Sequence, residues 1–295
     1  MSDFVLSCCS TSDLTPEFMK EYELEYLSFH YELADKTYLD DLGQSLNYDE
    51  FYSAMADGAM TRTSQPNVSD YKTYFKKFLD EGKDILHLSL SSGISGAVNS
   101  ATVAASELSD EYPDRKIYVE DSLAASGGFG LLMITLSDMK KAGADIEELY
   151  TFTKEHKLEL NHWFFTSDLT YLIRGGRVSK AAGFFGQALS VCPLLNVDYM
   201  GRLISRYKIR TKKKVILATV DKCMELINDG ENYTGKIMIT HANCFDDAKS
   251  VGDMLEERLP KMDGKVIYNF IGPTIGAHTG PGTVALFFWG AKRVD

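Results

Sequence analysis

No two cysteines in this sequence stand as CxxC. The five present are odd in number: Cys8 and Cys9 are adjacent, and Cys192, Cys223 and Cys244 are far apart. That spacing excludes a zinc knuckle and a dithiol redox pair, and it is expected of buried free thiols in a reducing compartment. Long apolar runs are missing too. "TVALFFWGA" is too short to span a bilayer, and "MSDFVLSCCS" has neither the apolar length nor the basic start of a secretory signal. Basic charge is in deficit: 31 Lys and Arg against 42 Asp and Glu leave a net charge of −11. Such a surface repels phosphate backbones and anionic lipid heads. Nucleic-acid binding and stable membrane insertion are therefore not expected, and a soluble cytoplasmic protein is.

What is present suits a full core. The chain has 295 residues, 44% of them hydrophobic and 12% aromatic, which is one large domain or two smaller ones. Apolar runs alternate with helical periodicity. "FVLS", "ILHLSL" and "KIYVE" read as strands. Helices are expected from Asn47 through Met55, over 68–81, from Ala97 to Leu108, over "GFGLLMITLSDMKKAG", and from Asp145 to near His156. This order implies a mostly parallel sheet flanked by helices. Beyond "HWFFTSD" a helical stretch with a Gly-Gly break leads to a hairpin, "PLLNVD" and "RLISRYKIR", turning at Met200-Gly201. Thr211 is placed as the cap of a further helix. Strands "KIMITHA", "KVIYNFI" and "VALFFW" complete a second α/β domain with a mixed sheet. The expected division is 1–165 and 166–295, with a ligand at the junction.

Five segments have the composition of sites. Ser91-Ser92-Gly93-Ile94-Ser95-Gly96 follows a strand and opens a helix, where free N–H groups and hydroxyls favour an anion. It matches neither a P-loop, nor a dinucleotide fingerprint, nor a hydrolase elbow, and a serine-capped turn explains it equally well. Thr61-Arg62-Thr63-Ser64-Gln65-Pro66-Asn67 reads as a loop with hydroxyls, capping the next helix through Asn67 or Ser69. Ile275 to Thr283 reads as a loop of three glycines and a proline around His278, whose imidazole can donate to an acid. Leu172 to Ser179 and Arg206 to Lys214 are basic clusters in an acidic chain, where an acidic ligand or partner could dock.

Together these segments resemble the DegV family of fatty-acid-binding proteins. The matching pieces are Thr63-Ser64-Gln65-Pro66, Leu90 to Gly96, Asp121-Ser122, Gly175-Gly176-Arg177-Val178-Ser179, Arg210-Thr211-Lys212-Lys213 and Gly276 to Gly282, in family order. The resemblance implies a bacterial two-domain α/β protein that encloses one long-chain fatty acid and is itself no enzyme. It implies no cofactor beyond that ligand, and no metal. A separate fatty acid kinase would convert the presented carboxylate to acyl phosphate, for use by an acyltransferase of phospholipid synthesis. Carried over by position, Thr63, Ser92 and His278 are expected to bind the carboxylate. Ser64, Ser91 and Gly93 are secondary candidates, and Arg177 and Arg210 would sit near the head group or at the kinase-docking face. Two positions depart from the family pattern: Cys9 stands where an aspartate is usual and Cys192 where a lysine is common.

Burying a long acyl chain gains roughly 0.8 kcal/mol per CH₂, or on the order of 10 kcal/mol for a whole chain before association costs. A deep apolar slot is therefore required. Phe164, Phe165, Phe184, Phe185, Leu189 and Leu194 are candidates for its wall. Two other readings use the same residues. Ser92 and His278 would be the pair of an esterase or thioesterase, or His278 would accept a phosphoryl group, the latter by fold analogy alone.

Overall fold

The computed structural model describes residues 3–178 and 191–294. The chain enters through strand β1, Phe4–Cys9, helix α1, Pro16–Glu21, and strand β2, Leu24–Leu27. Three short strands follow, β3 (His30–Leu33), β4 (Lys36–Leu39) and β5 (Thr61–Ser64), with helix α2, Tyr48–Ala56, between the last two. Helix α3 (Val68–Leu79), strand β6 (Asp84–Ser89), helix α4 (Ala97–Glu111) and strand β7 (Ile117–Asp121) come next. Helices α5, Ser126–Lys141, and α6, Ile146–His156, lead to strand β8, Leu160–Phe165, and helix α7, Thr170–Arg174. The last third holds β9 (Val191–Val197), β10 (Leu203–Arg210), α8 (Lys212–Leu226), β11 (Met238–His241), α9 (Phe245–Arg258), β12 (Ile267–Phe270), α10 (Pro273–Thr279) and β13 (Val284–Trp289).

Among the described residues three sheets result. The first is parallel throughout, in the order β2-β1-β6-β7. The second has six strands, β10-β9-β8-β13-β11-β12, antiparallel except for β11 beside β12. These are the two sheets expected. The third, β4-β3-β5, is antiparallel and small. The segment Thr61–Asn67, expected as a loop, therefore begins as a strand. Its backbone finds partners in β3, a non-local pairing that four residues reading Thr-Arg-Thr-Ser do not advertise. The division expected at residue 166 falls just after β8, which the six-stranded sheet holds between β9 and β13.

Helix α5 is the centre of the molecule. Nearly all of its residues from Ser126 to Ser137 are buried, so it is apolar all round rather than striped. It packs against β1 of the first sheet and against β8, β11 and β13 of the second. Glycines allow both approaches: a Cβ on Gly130 would stand 2.6 Å from the Ser12 carbonyl oxygen, and one on Gly127 2.7 Å from the Thr240 methyl. On the outer face of the first sheet, α3 and α4 bury Tyr71, Phe75, Ala101 and Leu108. The helix starts are set by side chains the sequence displays. Asn47 accepts from the Glu50 N–H, and Asn67 and Asp145 each form a full capping box. Thr211 does not behave as expected: its φ is 77° and its side chain makes no cap bond.

Candidate functional site

Period-two alternation on β5 turns Arg62 and Ser64 to solvent and leaves Thr61 and Thr63 half-buried. Thr61 and Thr63 meet α10. The Thr61 hydroxyl donates to the Ala277 carbonyl at 3.4 Å, and Thr63 Oγ1 lies 2.8 Å from His278 Nε2. The segment expected as a glycine-rich loop is in fact a short helix. Proline occupies its first turn, and Gly280, at φ 77°, ends it. His278 sits in the last turn, and its ring lies over Gly175, where any Cβ would overlap Nδ1. The Gly-Gly break after α7 is thus the space the histidine needs. Burial, and after it the nearby Arg177 charge, push the His278 pKa down to about 4. The imidazole is neutral at pH 7, with one N–H, and its Nδ1 is buried without a partner.

Two cavities share the His278 wall. One is polar, lined by Thr63, Ser64, Gln65, Ser95 and Thr274 together with Phe29 and Leu90. The other is largely apolar, with about 570 Å³ of empty space counting its open mouth, and lies against the second sheet and the start of α5, along Phe164, Leu172, Val197, Leu203, Ala285 and Phe287. Ile94, Arg177, Ile275 and His278 line both.

The expected residues divide. Thr63 and His278 are brought together, Arg177 stands beside them, and Ser64 lines the polar cavity. The Arg177 guanidinium donates to the Gly175 carbonyl at 2.6 Å, and burial lowers its pKa. Ser92, Ser91 and Gly93 line neither cavity. Ser92 is exposed, and its backbone N–H donates to the Asp121 carboxylate at 3.2 Å. Ser91 is buried, donating to the Gly201 carbonyl at 2.8 Å and accepting from the Gly93 N–H at 3.1 Å. A Cβ on Gly93 would stand 2.6 Å from the Gly201 backbone. This loop is spent on seating the β9–β10 hairpin turn. The serine that reaches the polar cavity is Ser95, which donates to Gln65 Oε1 at 2.9 Å. Spacing alone did not separate Ser92 from Ser95; the signal was Gln65, which follows Ser64 directly. The Ser92–His278 pair an esterase would use is not formed. Arg210 is exposed at the end of β10, opposite Val191, and lines neither cavity.

The wall candidates divide by strand face. Phe164 faces the cavity, while Phe165 and Leu194 belong to the core on the other face of the sheet. Phe184, Phe185, Leu189 and Ser179 lie outside the described residues. Among the described residues no cluster of three or more His, Cys, Asp or Glu side chains could hold a metal ion. No helix there is long and apolar enough to cross a membrane. Four of the five free cysteines are buried, and Cys244 is half-buried.

The chain is similar to known proteins along nearly its full length. The family model described as "Uncharacterised protein, DegV family" matches residues 9–290. A DegV domain-containing protein of Clostridium perfringens is 35% identical over 293 residues, 99% of each chain. A fatty acid-binding protein of Thermotoga maritima is 32% identical over 279 residues, 93% of each chain. A solved Thermotoga maritima structure, described as revealing a fatty acid binding function, superposes with a TM-score of 0.82 at 28% identity, over 98% of this chain and 100% of that one.

Proposed function

The chain belongs to the DegV family, and we propose that it binds one long-chain fatty acid and presents the carboxylate to a separate kinase. The observation that carries the reading is the Thr63–His278 pair at 2.8 Å, set where a polar cavity meets an apolar one. A carboxylate there meets a hydroxyl and the single N–H of a neutral imidazole, with the Arg177 guanidinium close by. The carboxylate's negative charge raises the His278 pKa, against the effect of burial and Arg177, and strengthens the bond. The acyl chain extends into the apolar cavity, away from water. Ser64, on the wall of the polar cavity, is exposed, so a second protein can reach the carboxylate from that side.

Phosphorylation adds negative charge at the head group. Arg177 is placed to stabilise it bidentately, whereas exposed Arg210 suits an acidic patch on the kinase and acts on the rate of encounter. With loaded protein and a partner fatty acid kinase, Arg210→Ala should keep its fatty acid and lose acyl phosphate formation, more so at low salt. Wild-type turnover by that variant would remove Arg210 from docking. Loss of its fatty acid would move Arg210 into the pocket.

A further inference from the structure

A further cavity lies on the face of the six-stranded sheet turned away from the apolar one. Phe164 of β8 lines the apolar cavity, whereas its neighbour Trp163 lines this one, with Asn196 of β9 paired beside it. Tyr207 of β10, Lys222 of α8 and the end of the described chain complete the walls, around about 710 Å³ of empty space counting the open mouth. Arg206, Lys222, Lys292 and Arg293 line it against one carboxylate, Glu225. Four cations against one anion leave an excess of three positive charges, in a chain of net charge −11. Such a group repels itself unless an anion joins it.

Two amides on the wall are fixed in orientation, each with one atom left over. Asn161 is 4% exposed, and its Nδ2 donates to the carbonyls of Glu159 and Ala291 at 3.2 and 2.9 Å. Carbonyls only accept, so Oδ1 is the atom without a protein partner. Asn196 accepts from Arg206 Nε at 2.8 Å through Oδ1, which leaves its Nδ2 as a donor. Both atoms keep accessible surface, so they are not sealed into packing. Arg293 is 6% exposed, and its terminal nitrogens end on main-chain carbonyls, those of Asp198 and Leu123 at 2.9 and 3.1 Å among them. Among the described residues no carboxylate pairs with it, and that of Asp198 takes Arg202 instead, at 2.7 Å. A buried guanidinium without a paired carboxylate favours an anion in the adjoining space.

We propose that this cavity binds a small phosphate ester that carries hydroxyl groups. The phosphate takes the exposed Lys292 ammonium and Asn196 Nδ2. Arg206, Lys222 and Arg293 supply the field around it, Lys222 being paired with Glu225 at 2.7 Å. A phosphate dianion answers an excess of three positive charges better than one carboxylate does. A hydroxyl of the ester donates to Asn161 Oδ1, and a bare oxyanion such as sulfate has none to give. The site stands apart from the fatty acid, on the other face of the sheet.

The test is calorimetry on the full-length protein. The probes are glucose 6-phosphate, ribose 5-phosphate and adenosine monophosphate, with sulfate as the bare oxyanion and glucose as the neutral control. One ester at least should bind once per chain, about tenfold more tightly than sulfate, and glucose should give no heat. Lys292→Ala, at an exposed side chain, should weaken that ester about tenfold and leave the bound fatty acid in place. No heat with any ester, sulfate binding as tightly as the best ester, or unchanged affinity in Lys292→Ala would each overturn the proposal. Release of fatty acid by the ester would put the ester in the other cavity and overturn it too.

Discussion

The sharpest test at the residue scale separates two serines three positions apart in sequence. Ser92 is exposed and contributes its backbone N–H to Asp121, while Ser95 faces Gln65 in the polar cavity. Direct titration should show Ser92→Ala binding fatty acid like wild type and Ser95→Ala binding more weakly. His278→Ala should lose more, roughly one to two decades, since a hydrogen bond to a charged group is worth about 1.5–3 kcal/mol. Unchanged affinity in His278→Ala would take the histidine out of the site. The sequence offered Thr63 and His278 through the family resemblance, and the structure sets the two 2.8 Å apart. It offered Ser92 too, which lines neither cavity here, because a run of serines before a helix looks like an anion site whether its hydroxyls face a ligand or a neighbouring turn.

Elements were legible where a side chain announces their ends. Asn47, Asn67 and Asp145 cap three helices as their spacing requires, and the β9–β10 hairpin turns at Gly201, whose φ is 72°. The small β4-β3-β5 sheet was not legible. Its strands have four residues each, with no apolar run, and they exist because distant partners supply their hydrogen bonds. Helix α10 was hidden by its glycines, although Pro273 marks its start. The wall of the slot could not be assigned, because Phe164 and Phe165 are chemically alike and only pairing register decides which face each takes. The capping box of α3 gives a measurable check. Asn67→Ala should lower unfolding stability by about 1 kcal/mol and leave fatty acid affinity unchanged. A loss of affinity would mean that α3 helps to place Thr63.

At the scale of the whole molecule, buried histidines make stability depend on pH. Burial pushes the pKa of His87 down to about 3, and those of His162, His241 and His278 are lowered as well. Each would take a proton on unfolding below its ordinary value near 6.5. The unfolded chain then binds more protons, so these groups lower stability as pH falls from 6.5 towards 4. Asp13 and Asp40 act in the opposite sense, because burial raises their pKa values and the fold holds their protons as pH rises past 3.8. His87→Phe isolates the first effect: its melting temperature should fall less steeply with acid than that of wild type. Parallel curves would show that His87 is already protonated in the fold. The central claim concerns what fills the apolar cavity, and it has a direct measurement. Mass spectrometry of an organic extract of the purified protein should find long-chain fatty acid at about one per chain. An extract free of fatty acid, with no rise in melting temperature when any long-chain acid is added, would contradict the account.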